Sequence, residues 1–531
     1  MADRHTSVTL SKCYCADPRT ITLVAEHQSM AIIDIGSNSV RLVVYRQSAG
    51  VWQKIINEKC QCRLGEGVAI NGLIQTERLQ TALEVLSRFA MLIEHAKPDK
   101  VIAIATSAVR DADNGPEFVR DSSNILGVEL LVLSGQSEAR YAAEGVRWSI
   151  PDAKGLVADL GGSSLELTNI GFSDQDHGSS LPIGPLQLID LFGTDRKAAK
   201  SYIDDQLRRA IEPLKDKFPE ELSKVNLFAV GGSWRSLAQL HIQNTAYPIK
   251  IVHRYRPHVQ EFRGFLRPVS FMSHDEAIML DVAQADRRMA LPYASLILRR
   301  VLKWTKCSQV EFCSTGIREG ALALHADNKS AGETSTIYSS TVKSLVPNGG
   351  RFGPIDKAME EWVSQAYTAD LGGIQTMSKQ RVWEACALAD FGWNEHPSHK
   401  KTATYMYLLN STRLPHDHHA RAQLAAIQFY RHKGRGADLN GLEICKLLDR
   451  REQRSAKILG RIIHLGMQVC RSQAALLKMT RLQVTTDQIE ILYPKSWPEF
   501  HAGSIQSSCQ MLSDACGLSV RLRPSAALGR S

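Results

Sequence analysis

The 531-residue chain lacks any run near the roughly eighteen apolar residues that a spanning helix needs. Its longest near-apolar stretch, residues 101–109, already contains Thr106 and Ser107, so no membrane association is expected. It also lacks an even cysteine framework. Eleven cysteines at irregular spacing, with Cys13/Cys15 and Cys60/Cys62 as close pairs, exclude a small disulfide-stapled secreted domain and point to reduced thiols in the cytoplasm. The first 29 residues have no basic start, apolar middle and small-residue cleavage site, and Asp3, Asp17 and Glu26 speak against a transit peptide. Residues 1–29 are therefore expected to be a flexible extension before a fold that starts near Met30. No Gly-x-x-x-x-Gly-Lys phosphate loop occurs anywhere.

What is present is an ordinary globular balance: 44% hydrophobic and 22% charged residues, enough to build cores in each of three or four units. The net charge of +9 is unevenly spread. Residues 401–480 carry 14 basic and 5 acidic side chains, so this one stretch holds the whole excess.

From Ala31 the chain reads as a buried strand, a small-residue turn and an alternating strand, with Asp-Ile-Gly-Ser-Asn-Ser (34–39) at the turn. Asp-Leu-Gly-Gly-Ser-Ser-Leu-Glu (159–166) repeats the pattern 125 residues later, with Asp34 on Asp159, Gly36 on Gly161 and Ser39 on Ser164. That spacing suits two similar α/β domains in tandem, 30–150 and 151–329, whose hairpins face one cleft. Residues 330–353, rich in Ser, Thr, Gly and Asn, are expected to be a linker. Residues 354–479 are mostly helical by pattern and carry the basic stretch, and 480–531 suggest a small α+β tail.

A Gly/Ser turn at a strand end lets backbone N–H groups converge on an anion, because Gly has no Cβ and Ser adds a hydroxyl. Residues Gly36, Ser37, Asn38 and Ser39 form one such turn, and Gly161, Gly162 and Ser163 the other. Each alone reads as a plain hairpin turn; the pair, each led by an Asp that could hold Mg²⁺, reads as a phosphate-chain site. A third turn, Gly-Gly-Ser-Trp-Arg (231–235), opens a helix and serves either an anion or close packing. Glu138 follows a strand and opens a helix, where the macrodipole alone favours an acid. Arg110 reads equally as a phosphate clamp or a surface ion pair.

Taken in order, Asp-Ile-Gly-Ser-Asn-Ser, Ala-Thr-Ser-Ala-Val-Arg (105–110), Ser-Gly-x-x-Glu-Ala-Arg (134–140), Asp-Leu-Gly-Gly-Ser-Ser-Leu-Glu and the later Gly-Gly-Ser resemble the exopolyphosphatase/guanosine pentaphosphate phosphatase family, Ppx/GppA. The resemblance covers residues 30–324. It implies two ribonuclease-H-like domains of the sugar kinase/actin/Hsp70 type around a cleft, followed here by a mostly helical domain similar to the HD phosphohydrolases. It further implies Glu138 as the general base, Asp159 and Glu166 as Mg²⁺-side acids beside Asp34, and Asn38, Ser39, Arg110 and the 161–163 backbone as the phosphate grip. The partner would be inorganic polyphosphate or guanosine pentaphosphate, not a nucleic acid, and the assembly a homodimer. Ser137 departs from the family, which often has a second acid before the catalytic Glu. The cluster His416-Asp417-His418-His419, with His396 and His399, is expected to be a solvated loop and not a second metal site. Arg450, Arg451 and Arg454 are expected to line a path for a long polyanion.

Two other classes compete with a phosphohydrolase. A kinase-like transferase of this fold would move phosphate from ATP to an acceptor without releasing it, and a nucleotide sensor would keep the cleft without turnover. The acid at Glu138 speaks against the sensor.

Overall fold

The computed structural model describes residues 28–48, 50–172, 178–281, 285–326, 334–346, 349–432, 439, 442–497, 503–526 and 528. The extension predicted over 1–29 lies outside these but for Gln28 and Ser29, and Ser29 already belongs to the first strand.

Two five-stranded sheets repeat one topology. The first has the order β3-β2-β1-β4-β5, from Ser29–Ile35 (β1), Ser39–Ser48 (β2), Val51–Gln61 (β3), Lys100–Ala105 (β4) and Leu130–Val132 (β5). The second runs β10-β9-β6-β7-β8, from Gly155–Leu160 (β6), Leu165–Ile170 (β7), Gly178–Leu181 (β8), Asn226–Gly231 (β9) and Gln309–Phe312 (β10). In both, an antiparallel hairpin is extended by parallel strands, β4 beside β1 and β9 beside β6. The duplication read from the sequence is thus a duplication of fold. Strands β6 and β7 are buried along their full length, so Asp159 in β6 and Glu166, Thr168 and Asn169 in β7 are polar groups enclosed among apolar neighbours.

The predicted boundary at 150/151 does not coincide with the layers. The helix Gly135–Ser149 leaves the first sheet and covers the second, where Ala142, Ala143 and Val146 pack with Val157, Ile170, Phe228 and Val230. Reciprocally, the helix Ile317–His325 leaves the second sheet and covers the first, its Ala321 and Leu322 meeting Ile32, Val43, Tyr45 and Ile104. An amphipathic pattern says that a helix has a buried face, not which sheet receives it.

These two crossing helices pack almost backbone to backbone. A Cβ at Gly145 would strike the Gly316 carbonyl oxygen, and one at Gly320 would strike the Tyr141 carbonyl oxygen. Gly320→Ala is therefore expected to destabilise the protein by about 1–3 kcal/mol, the usual cost of overpacking, measured as a lowered urea midpoint. The second crossing helix is also tied to the first sheet by charge. Glu319 accepts hydrogen bonds from Tyr45 Oη at 2.9 Å and Lys54 Nζ at 2.6 Å, and its other oxygen takes the Gly316 N–H at 3.0 Å.

Residues 330–353 are not a plain linker. The helix Thr334–Ser344 lies within them, and Val342, Leu345 and Val346 join the C-terminal core, an apolar cluster that the Ser/Thr-rich composition conceals. The 480–531 segment forms Arg481–Val484 (β11), Gln488–Pro494 (β12) and Ser519–Ser525 (β13), ordered β11-β12-β13, with the helix Gly503–Cys516. Its Leu482, Ile489, Ile491 and Leu512 share one core with Leu459 and Ile462 of the long helix Arg450–Cys470, so the tail and the helical region are a single body.

The histidine cluster is corrected in part. His396, His399 and His419 are exposed, but His416 and His418 are buried. His416 Nε2 lies 3.0 Å from Glu384, and His418 Nε2 donates to the His253 carbonyl at 3.0 Å. His416 thus stays within the C-terminal body, while the half-buried Asp417 stands 3.5 Å from Arg256 of the second lobe, which pairs with Glu311.

Candidate active site

The two Gly/Ser turns are built alike and meet. Each closes on itself by the same bond, Gly36 N–H to Ser39 O at 3.1 Å and Gly161 N–H to Ser164 O at 3.0 Å. They are close enough that a Cβ on Gly162 would sit 3.0 Å from Ser37 Cβ. Ser107, at the end of β4, joins them: its hydroxyl lies 3.1 Å from Ser37 Oγ and 3.5 Å from Ser164 Oγ. A cavity of about 330 Å³ opens between the turns. Asp34, Gly36, Ser37, Asn38 and Ser39 line it from the first lobe, Asp159, Gly161 and Gly162 from the second, and Glu138 from the crossing helix.

Glu138 sits in the first turn of that helix, capped by Ser134, whose hydroxyl accepts the Ser137 N–H at 3.2 Å. The Ser134 hydroxyl in turn donates to Ser137 Oγ at 3.0 Å. Glu138 is 3% exposed. Burial pushes its carboxyl up to about 7, against the pull of Arg110 and with added repulsion from Asp159 and Asp34. Arg110 does not line the cavity. Its Nη1 bonds Glu138 Oε2 at 3.0 Å and the Leu133 carbonyl at 3.0 Å, so it is engaged with that carboxylate.

The acids divide into three kinds. Asp34, expected beside the metal, is held by Arg318 Nη1 at 2.5 Å, so its charge is already matched. Asp159 is buried and pushed up to about 6, by burial first, with Asp34 adding to it and Arg235 opposing. Glu166 lies behind the cavity wall, accepts from Ser180 Oγ at 2.8 Å, and is pushed well up by burial and then by the charge of Glu138. Ser163 also stands behind the wall, its hydroxyl beside Gly65.

Five arginines line the cavity, Arg41, Arg63, Arg235, Arg287 and Arg318, and of these only Arg235 lies in a motif singled out from the sequence. Arg235 belongs to the third glycine turn, and its Nη1 donates to the Ser314 carbonyl at 3.1 Å. Arg41 Nε donates to Asn57 Oδ1 at 2.8 Å and Arg287 Nη1 to the Gly232 carbonyl at 2.9 Å. The only advance signal for Arg318 was the turn Thr-Gly-Ile-Arg-Glu-Gly (315–320) following a strand. Arg450, Arg451 and Arg454 are not brought to this cleft. They are exposed and line a separate recess of about 550 Å³ with Asp370, Gly372 and Gly373.

Among the described residues no three His, Cys, Asp or Glu side chains converge as a metal cage. Mg²⁺ does not require one, because it keeps water and phosphate oxygens and takes one or two carboxylates. The donor set fits such an ion. Glu138, Asp159 and Glu166 are buried acids whose pKa values are raised by burial and by their neighbours' charge, and a divalent cation would relieve that repulsion. No described side chain hydrogen-bonds to Asp159, which leaves its carboxylate free to ligate.

Among the described residues no helix is long and apolar enough to cross a membrane. In comparison with known proteins, residues 43–329 match the Ppx/GppA phosphatase family and residues 354–522 match the family of exopolyphosphatase C-terminal domains. A solved exopolyphosphatase from Cytophaga hutchinsonii is 23% identical with a TM-score of 0.52, and the match covers 58% of this chain and 100% of that one. A Ppx/GppA family member from Aquifex aeolicus is 24% identical with a TM-score of 0.49, over 57% of this chain and 100% of its own. The first of these shows the shared fold. The facing turns, the repeated sheets and the family match over more than half of its length together mean that this chain belongs to the Ppx/GppA phosphatase family.

Proposed function

We propose that the protein is an exopolyphosphatase that removes terminal orthophosphate from inorganic polyphosphate. The observation that carries this reading is the pair of matched Gly/Ser turns meeting across one cavity, with Glu138 in its wall. The N–H groups of both turns that do not close them, with the Ser39 hydroxyl, hold the terminal phosphoryl oxygens, and Arg41 offsets the charge of the phosphates behind it. Glu138 takes a proton from water as the water oxygen bonds to the terminal phosphorus and the anhydride P–O bond breaks toward the shortened chain. Asp159, with Glu166 behind it, would hold Mg²⁺, which when bound neutralises charge on the transferring phosphoryl group.

A second reading is 5′-phosphate removal from guanosine pentaphosphate. Pro185, Leu186, Ile189 and Met289 give one side of the cavity an apolar face on which a base could lie. Orthophosphate release measured in parallel from long polyphosphate and from guanosine pentaphosphate, with and without Mg²⁺, decides between them. Faster release from polyphosphate is the expected result. ATP-dependent phosphorylation of an acceptor with no free phosphate would instead mark a transferase.

The arginine recess is proposed as a binding point for the distant part of a long chain. Arg450→Ala, Arg451→Ala and Arg454→Ala combined are expected to raise KM for long polyphosphate by about three- to tenfold and leave tripolyphosphate within about twofold, the difference shrinking in high salt. Equal slowing for both lengths removes this role. The protein is further proposed to act as a cytoplasmic homodimer, which light scattering tests.

A further inference from the structure

The C-terminal body touches the cleft's supports without lining the cleft. One such contact is with the turn 253–255, which lies along the end of β10: Arg254 N–H donates to Phe312 O at 2.7 Å and Phe312 N–H to Tyr255 O at 3.0 Å. Arg254 has φ 63°, a left-handed conformation that a branched-from-backbone side chain adopts only when its surroundings impose it. Its surroundings come from the second lobe and from the C-terminal body together. The Arg254 guanidinium, paired with Glu311 at 2.7 Å, donates to the Pro415 carbonyl at 3.0 Å and to Tyr338 Oη at 3.1 Å. His418 reaches the same turn and donates from Nε2 to the His253 carbonyl at 3.0 Å. Its Nδ1, 3.2 Å from Tyr247 Oη, receives that hydroxyl, which fixes the tautomer and the ring plane.

From His253 the contacts continue into the cleft. The His253 Nδ1 accepts the Ser314 N–H at 3.3 Å, and the Ser314 carbonyl accepts Arg235 Nη1 at 3.1 Å. Arg235 lines the cavity and its charge acts on Asp159. Four residues later, in the first turn of the helix that follows, Arg318 holds Asp34.

We infer that His418, in the C-terminal body, is a positioning residue for the active site: by bracing the His253 carbonyl it holds the Ser314 turn, and through it Arg235, in register with the two phosphate turns. The kinetic part of this rests on the phosphohydrolase reading above. The function of the C-terminal body then includes setting turnover as well as retaining long chains.

The test uses the full-length chain with tripolyphosphate, too short to depend on the arginine recess, and compares wild type, His418→Leu, His418→Gln and Tyr247→Phe. The amide nitrogen of Gln reaches the position of Nε2, whereas Leu donates nothing. His418→Leu is expected to lower kcat about fivefold with KM within about twofold, and to speed amide hydrogen exchange in residues 313–319. His418→Gln is expected to restore both. Wild-type kcat and exchange in His418→Leu, or equal impairment of the Leu and Gln variants, overturns the inference. If His418→Leu does not fold, Tyr247→Phe carries the test, since it removes only the hydroxyl that orients the ring; there, unchanged kcat and unchanged exchange overturn it. A wild-type protein that releases no phosphate refutes the phosphohydrolase reading alone, and the exchange measurement still decides this one.

Discussion

Glu138→Gln is expected to lower kcat by about two to four orders of magnitude, the range a positioned general base supplies, while tripolyphosphate binding stays within about threefold. The amide keeps the size of the carboxylate, and its oxygen can still accept from Arg110 Nη1, so the first turn of the crossing helix and the shape of the cavity are retained. What is lost is the ability to take a proton from water. In the wild type, kcat is expected to rise with pH through about 7 and then level, because burial raises the Glu138 carboxyl and only its deprotonated form is a base. Arg110→Leu should move that rising limb to higher pH, since Arg110 is the largest influence holding the carboxyl down. Stopped-flow phosphate release across pH 5.5–9 (about neutral on either side) measures all three. A Glu138→Gln variant that kept most of its turnover would require a different base.

The duplication and the two facing Gly/Ser turns could be read in advance because their signals are local. An Asp, a Gly without Cβ and a hydroxyl lie within six neighbouring positions, and the structure brings both sets into one cavity. The roles of the arginines could not be read that way. Arg110 meets Glu138 across 28 residues and Arg318 meets Asp34 across 284, so their partners exist only in the folded chain. Arg110 consequently read as either a clamp or an ion pair until the fold set it against Glu138, and Asp34, expected beside the metal, is paired with Arg318. The same limit explains the exchanged helices, whose apolar faces fit either sheet, and His416 and His418, whose polarity and loop position suggested solvent while Glu384 and the His253 carbonyl supplied buried partners.

Asp159→Asn is expected to make the metal-free protein more stable at pH 8 while removing most of its activity. The sign follows from the direction of the shift. A carboxyl whose pKa is higher in the folded state stabilises the fold while it is protonated, and that stabilisation is lost as pH rises through the folded value. For Asp159 the window lies between the unfolded value of about 4 and about 6. Across it the native state loses about 3 kcal/mol relative to the unfolded chain. Burial is the main cause, and Asp34 adds to it. Asn cannot ionise, so the variant should show no such loss, and its urea midpoint at pH 8 should exceed that of the wild type. Mg²⁺ should raise the wild-type midpoint at pH 8 by offsetting the Asp159 charge and should raise that of the variant much less. Equilibrium unfolding at pH 5 and pH 8, with and without Mg²⁺, checks each part. A variant less stable than the wild type at pH 8 without metal would mean that Arg235 already compensates Asp159 in full. The acid would then be a structural partner of Arg235, with no spare charge to hold a cation against the substrate.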